Sequence, residues 1–178
     1  MGVGYTSRQG AVESGHKWFP YRKGGKHRRW FGNNDLVVDW EHDGQALRTT
    51  KHPTSDRLWA HNFNLDYIFR PAITWTSTSS SHFDVRHADP GELFDVKGSS
   101  CFTNPQDHWW ILGYLASSLA GYFMRLLNPT VEFQPGNVGS LPVFPALIRR
   151  AASQVEALAK EATDLARADW DAMETSWG

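Results

Sequence analysis

Residues 17–34 have the chemistry of a surface that binds phosphates. They read KWFPYRKGGKHRRWFGNN, with cations, aromatic rings and glycines interleaved. Cations attract the DNA backbone whatever its sequence, and Gly24 and Gly25 let a main chain approach a phosphate closely. We therefore expect four side chains of this segment to hold phosphates: Lys23, Lys26, Arg28 and Arg29. The alternative is a solvated basic loop that its aromatic rings anchor to the core.

Amides and hydroxyls near these cations supply candidate contacts to bases. Asn33 and Asn34 carry the donor and acceptor groups that read adenine in the major groove. A run of small hydroxyl residues also donates to phosphates or base edges, although an ordinary polar loop has the same composition. From that run we select Ser79, Ser80 and Ser81, with Arg86 and Gln134 as weaker additions.

The charge of the chain is divided between a basic part and an acidic part. The formal net charge is −1, from 18 Lys and Arg against 19 Asp and Glu. Residues 1–34 hold seven of the bases and one acid, whereas residues 35–178 hold 11 bases and 18 acids. The near-zero sum is thus a cancellation, and it does not exclude a polyanionic partner.

Other chemistries find little support in the sequence. No Cys and His spacing matches a zinc site, so we predict no metal. No P-loop, nucleophile elbow or dinucleotide fingerprint is present. One nuclease-like pattern remains, in which Asp84 and Asp95 would bind Mg²⁺ and Lys97 would assist an attacking water. So short a pattern arises often by chance.

The elements that must position these residues predict an α+β fold. Residues 35–40 and 72–78 have strand composition, residues 82–86 and 92–96 predict a hairpin across the turn Asp89-Pro90-Gly91, and residues 99–102 extend the sheet. Residues 109–127 recur with helical spacing and predict one buried helix. The fold class is therefore a small mixed or antiparallel sheet with a buried helix and a long C-terminal helical arm.

The second helix is predicted over residues 146–170. Its narrow apolar stripe is typical of an arm that meets a partner surface, although a helix that only covers the sheet has a similar pattern. The stripe consists of Ile148, Val155, Leu158, Ala162 and Leu165. We expect three parts: a flexible leader or truncation edge at 1–16, a recognition domain at 17–145 and a C-terminal helix at 146–178.

Length and composition favour one globular domain with an appendage. The chain has 178 residues, of which 40% are hydrophobic and 21% charged. It has neither a run of 18 apolar residues nor a secretory leader. The single cysteine, Cys101, fits a reducing compartment, so we expect a cytoplasmic protein without a membrane segment.

Three long blocks resemble one protein family, in the same order along the chain. They are residues 17–34 with their continuation DLVVDWEHDG, residues 72–102 and residues 111–142. The chain resembles the C-terminal target-recognition region of the adenine-specific DNA methyltransferases of bacterial BREX phage-defence systems, the PglX family. These enzymes are related to type II restriction–methylation enzymes. The blocks and their linking segments cover residues 17 to about 145.

The resemblance implies a DNA-binding segment without its own catalytic centre. Methyltransferases of this kind need an S-adenosylmethionine loop and an Asn-Pro-Pro-Tyr-like motif that holds the flipped adenine. The nearest strings, at 104–107 and 128–131, lack the second proline and the aromatic residue. We therefore expect double-stranded DNA as a partner, no catalytic residues here, and S-adenosylmethionine on a catalytic domain elsewhere. The C-terminal helix would contact that domain or another BREX or restriction subunit. A fragment or a separately encoded subunit would have this form.

Two other functional classes remain open. A protein-interaction module would bind a methyltransferase or BREX subunit through the C-terminal helix and ignore DNA. A metal-dependent nuclease would nick DNA with Mg²⁺.

Overall fold

The computed structural model describes residues 1–60, 64–79 and 82–173, without the side chains of 145–149. It is an α+β protein, as the sequence predicts. None of the helices in this described part has the length and hydropathy to span a membrane. The helices are α1 Arg8–Glu13, α2 Glu41–Thr49, α3 His108–Leu115, α4 Ser118–Leu127, α5 Pro135–Gly139 and α6 Pro145–Asp171. The strands are β1 Trp18–Arg22, β2 Val37–Asp39, β3 Ala72–Trp75, β4 Val85–Ala88, β5 Leu93–Phe94 and β6 Ser100–Cys101.

The strands form two small sheets. In the first, β1 is central, antiparallel to β2 and parallel to β5. In the second, β3 is central and antiparallel to both β4 and β6. Strands β3 and β4 are buried at every position, and β3 has the β-branched and aromatic composition that favours a strand.

The predicted hairpin between β4 and β5 is wrong, because the two strands belong to different sheets. Gly91 has φ of 101°, and its N–H donates to the carbonyl of Phe69. The N–H of Phe69 in turn donates to the carbonyl of Glu92. The turn signal in the sequence is real, but these bonds direct the chain across to the first sheet.

The single helix predicted over residues 109–127 is two helices. Helix α3 ends at Leu115, and the side chain of Ser117 accepts a hydrogen bond from the N–H of Ala120 to cap α4. Because the axis changes there, the apolar stripe does not continue on one face. Leu112 and Met124 are buried, whereas Tyr122 and Leu126 are exposed.

Helix α6 agrees closely with the predicted helix over 146–170, but it packs within its own chain. It crosses α3 where Gly113 has no side chain, and a Cβ there would lie 2.5 Å from Val155 Cγ1. Ala159, Thr163 and Trp170 are buried on this face. Of the predicted stripe, Leu158 and Leu165 are exposed and do not pack against α3. That α6 also meets a partner stays a prediction.

The buried apolar residues form two clusters, one for each sheet. The larger lies between the second sheet and α3–α4, around Trp75 and Leu112. The smaller surrounds Phe19 and includes Ala11 of α1, in the segment for which the sequence predicted no structure. Ser7 caps helix α1. The sequence did not reveal this helix, because the segment is rich in Gly and Ser. The predicted domain boundaries stay predictions.

Candidate nucleic-acid interface

The basic loop, residues 23–34, leaves the first sheet after β1 and crosses to the second. Its main chain fixes it there: the N–H of Trp30 donates to the carbonyl of Val85 at 3.0 Å, and the N–H of His87 donates to the carbonyl of Trp30 at 2.8 Å. At the other end Gly24 has φ of 83°, and a Cβ there would lie 2.8 Å from the carbonyl oxygen of Lys97. Glycine is thus required for this close approach.

Arg86 lies beneath the basic loop and holds it from below. Its side chain donates from Nη1 to the carbonyl of Arg28 at 3.1 Å and from Nη2 to Oγ1 of Thr76 at 3.3 Å. Burial lowers its pKa to about 10, so the guanidinium is charged at neutral pH. Because Arg86 is only 2% exposed, its visible role is to tether the loop. A direct DNA contact by Arg86 stays a prediction.

Asp84 anchors two side chains of the loop. Its buried carboxylate accepts hydrogen bonds from Arg29, with Nε at 2.9 Å and Nη2 at 2.8 Å, and pairs closely with His27. The side chain of Arg29 is still 42% exposed, so it is held in place and open to solvent. The sequence reasoning missed His27, whose only signal is its position inside the basic run.

Arg28 instead joins the basic loop to the C-terminal end of α6. Its Nη1 donates to Asp169 Oδ2 at 2.6 Å, and its guanidinium lies 5.3 Å from the ring centroid of Trp170. Gly32 packs against the same ring, and a Cβ there would come within 2.9 Å of it. Arg167 lies 3.9 Å from the ring centroid of Phe31. The end of α6 therefore forms one wall of the loop.

The two lysines of the loop are its most open cations. Lys23 and Lys26 are exposed, and neither ammonium has an ion-pair partner among the residues that the structure describes. The carbonyl of Lys26 accepts a hydrogen bond from the Asn33 amide at 2.9 Å. The Asn33 amide that we assigned to base reading thus closes the loop.

Four predicted site residues meet at a small polar cleft beside the loop. Its lining includes Thr76, His27 and His82, which the sequence analysis did not select as site residues. The predicted residues at this cleft are Lys26, Arg28, Ser79 and Arg86. Ser80 and Ser81 lie outside the described residues. The cleft combines cationic, hydroxyl and imidazole groups, a donor set suited to phosphate oxygens.

Asn34 and Gln134 lie elsewhere. Asn34 lines a second cleft with Phe31, Arg167 and Trp170, behind the basic loop. Gln134 caps α5, and its amide donates to Glu132 at 3.3 Å. Spacing along the chain could not reveal either position.

The nuclease-like residues do not share a cleft. Asp84 lines the polar cleft, whereas Asp95 lines a pocket with Gln134 and Phe102. Asp95 accepts hydrogen bonds from the hydroxyl of Tyr21 at 2.8 Å and from the N–H of Lys97 at 2.6 Å. Over the described ranges, no group of three or more His, Cys, Asp or Glu side chains is arranged to hold a metal ion.

A partly buried chain of polar side chains supports the wall that α6 provides. Arg167 donates to both carboxylate oxygens of Asp89, at 2.6 and 2.8 Å. Asp89 also pairs with His87, whose Nδ1 is 2.8 Å from Nε2 of His108. Burial would raise the pKa of Asp89, but the hydrogen bonds from His87 and Arg167 lower it well below its ordinary value. Burial lowers the pKa of His108 to about 4, so this imidazole is neutral at pH 7.

The opposite part of α6 borders an apolar groove. The groove lies between α3, the start of α4 and the first half of α6, and is lined by Trp110, Tyr114, Val155 and Phe144 among others. Beside it, α4 exposes an apolar face that consists of Leu119, Tyr122, Leu126 and Leu127. Exposed apolar groups at this density are typical of a contact surface.

The chain is similar to a short segment of two adenine-specific methyltransferases. No family model matches it. It is 36% identical to the adenine-specific methyltransferase PglX of Lacticaseibacillus casei (strain Zhang) over 178 residues, which are 98% of this chain and 14% of that protein. It is 37% identical to the adenine-specific methyltransferase BrxX of Escherichia coli O9:H4 (strain HS) over 164 residues, 90% of this chain and 12% of that protein. The predicted resemblance is confirmed, and the chain corresponds to one small segment of these enzymes.

Proposed function

We propose that this chain binds duplex DNA through the basic loop and serves as a target-recognition segment of an adenine-specific methyltransferase. The observation that carries the proposal is a loop whose main chain is tethered from below while its lysines stay exposed. Such a loop places cations where a phosphate backbone can meet them, and the tether lowers the ordering entropy that binding costs.

The relatives support this assignment by their length and names. They are called adenine-specific methyltransferases, and this chain spans about one-seventh of them. A site-specific methyltransferase needs a part that reads the target and a part that extrudes and modifies the base. We assign the first task to this chain and the second to a catalytic part elsewhere, which would bind S-adenosylmethionine. Both the recognition and the modification of the target would take place in the cytoplasm, where bacterial DNA lies.

The polar cleft suggests which residues contact phosphates and which contact bases. Lys23, Lys26 and Arg29 would hold phosphates and set the register on the duplex. Ser79, which lines the cleft after β3, would lie nearest to a base edge. Asn33 would shape the loop through its bond to the Lys26 carbonyl.

Neutralising the two open lysines tests the proposal. The double variant Lys23→Gln and Lys26→Gln should weaken binding to every duplex roughly tenfold near 0.1 M salt, since each lost phosphate contact lowers the salt slope by about 1. Fluorescence anisotropy over a salt series measures both quantities. These side chains have no ion pair among the described residues, so the fold should be unaffected.

The matched control is Lys51→Gln with Lys160→Gln, two exposed lysines outside the basic loop. It changes the net charge equally and should leave the salt slope unchanged. Equal losses in both double variants would mean that the loop has no special role. A wild-type chain that binds no duplex at low salt would refute DNA binding altogether.

A second candidate function is docking onto the catalytic part of the methyltransferase through the apolar groove. The exposed face of α4 beside the groove favours it, since a segment of a longer enzyme must contact the remainder. Docking of this kind would persist in the lysine double variant. Removing α6 would be a poor test because Trp170, Ala159 and Thr163 are buried in the fold.

A further inference from the structure

The contact between Arg28 and Asp169 differs from the other ion pairs of the basic loop. The Asp169 side chain is 67% exposed and has one arginine partner, at 2.6 Å. Asp84, which pairs with Arg29 and His27, is 6% exposed. The Asp84 cluster is thus built into the fold, whereas the Asp169 carboxylate meets its partner at the surface.

A phosphate competes well for such a partner. The guanidinium of Arg28 presents its donors to any planar or tetrahedral oxyanion, and charge-assisted pairs with phosphate are at least as strong as those with carboxylate. Exposed carboxylate pairs contribute little and exchange readily. The ring of Trp170 keeps the guanidinium nearby through a cation–π contact that does not involve Asp169.

We infer that Asp169 is an internal competitor for DNA: it occupies Arg28 in the free protein and gives way to a backbone phosphate in the complex. This inference rests on the proposed DNA binding and adds its regulation. The exchange releases the carboxylate from the loop while Arg28 stays against Trp170. DNA affinity is therefore lower than the basic loop alone would give, and occupancy of the loop is linked to the C-terminal end of α6.

Asp169→Asn removes the competitor and tests the inference. Duplex affinity should rise about fivefold, whereas the salt slope should stay nearly unchanged, because Arg28 contacts a phosphate in both complexes. The control is Asp164→Asn, an exposed aspartate of the same helix that lies about 140° away around the axis. It makes the same charge change and should raise affinity less than twofold.

A double-mutant cycle separates competition from general repulsion. In the background Arg28→Gln, the substitutions Asp169→Asn and Asp164→Asn should have equal effects, because the pair no longer exists. Anisotropy titrations with one 20-base-pair duplex give all the affinities. The inference fails if Asp169→Asn matches Asp164→Asn in the wild-type background, or if it weakens binding.

The two proposals fail in different ways. A wild-type chain without salt-dependent binding removes the proposed function and leaves nothing for Asp169 to regulate. A wild-type chain that binds DNA, with no coupling between Arg28 and Asp169 in the cycle, keeps the proposed function and refutes only the competitor.

Discussion

Helix α6 has two unlike neighbours. Near its C-terminal end Trp170 lies against the Arg28 guanidinium and Arg167 against the Phe31 ring of the basic loop, and Arg167 also pairs with Asp89. In its first half Val155 lies against Gly113 and borders the apolar groove. Val155 and Trp170 are fifteen residues apart, or about 22 Å along the axis. One rigid element therefore connects a charged surface with an apolar one.

The difference shows how each surface keeps its shape. At the charged end, directional hydrogen bonds and ion pairs hold the side chains in place. Asp89 pairs with Arg167 and His87. Asp84 pairs with Arg29 and His27. Buried polar groups are costly without such partners, so few arrangements are possible. At the apolar end, the stabilisation is proportional to the apolar area that is buried, so the contact tolerates small shifts. Precise contacts suit a nucleic acid, and adaptable contacts suit a protein surface.

The largest effect is expected from removing the ring that joins α6 to the basic loop. Trp170→Ala should lower the free energy of unfolding by about 3–5 kcal/mol, because Trp170 is buried against Gly32 and Arg28. DNA affinity should fall as well, since the loop loses its wall. Urea denaturation measures the first effect. Leu165→Ala, exposed on the same helix, should change stability by less than about 0.5 kcal/mol.

A smaller decrease in the free energy of unfolding is expected when the pH is lowered. The pKa of His108 falls from 6.5 to about 4 in the folded chain, because burial and then the charge of His87 disfavour its protonation. The unfolded chain then binds the extra proton between pH 6.5 and 4, so stability is full above pH 6.5 and decreases as pH falls through this window. The loss from His108 should be about 3 kcal/mol, measured by denaturation across the pH range.

Comparison with His108→Gln isolates this contribution. Burial raises the pKa of Glu92 to about 7, which favours the folded state as pH falls and partly offsets His108. Glu92 is present in both proteins, so the difference between their pH curves belongs to the imidazole pair. Parallel curves would show that His108 has an ordinary pKa.

The smallest effect on stability is expected at the apolar end. Tyr122→Gln with Leu126→Gln should leave stability nearly unchanged, because both side chains are exposed. The double variant should nevertheless lose binding to the catalytic part of the Lacticaseibacillus casei PglX protein, expressed without its matching segment. The lysine double variant should retain that binding. Retention by both variants would remove the docking function.

The sequence predicted the local structure of single elements better than it predicted which elements pair with each other. The strand composition of β3 and the stripe of α6 gave elements close to those observed, since both depend on residues near each other in the chain. The hairpin between β4 and β5 failed because β4 pairs with β3 and β5 pairs with β1, a strand that lies far from the turn in sequence. The single helix over α3 and α4 failed because a serine cap inside an apolar run ends one helix and begins another.

The candidate site shows the same limit. The cations of the basic loop are visible in the sequence, and two of them, Lys26 and Arg28, line the same cleft. Their partners are not visible: Asp84 and Asp169 come from 55 and 141 residues away. The cleft with Asn34 and the capping role of Gln134 are likewise properties of the folded chain.

The way Trp30 and Arg86 hold the basic loop has a consequence for its evolution. The bonds that fix the loop end on main-chain atoms of Val85, Trp30 and Arg28. Replacement of the exposed side chains leaves those bonds intact, so new residues inherit a framework that is already folded. Point substitutions at exposed positions such as Lys23 and Lys26 would therefore tune how strongly the proposed surface attracts a DNA backbone, without loss of fold stability.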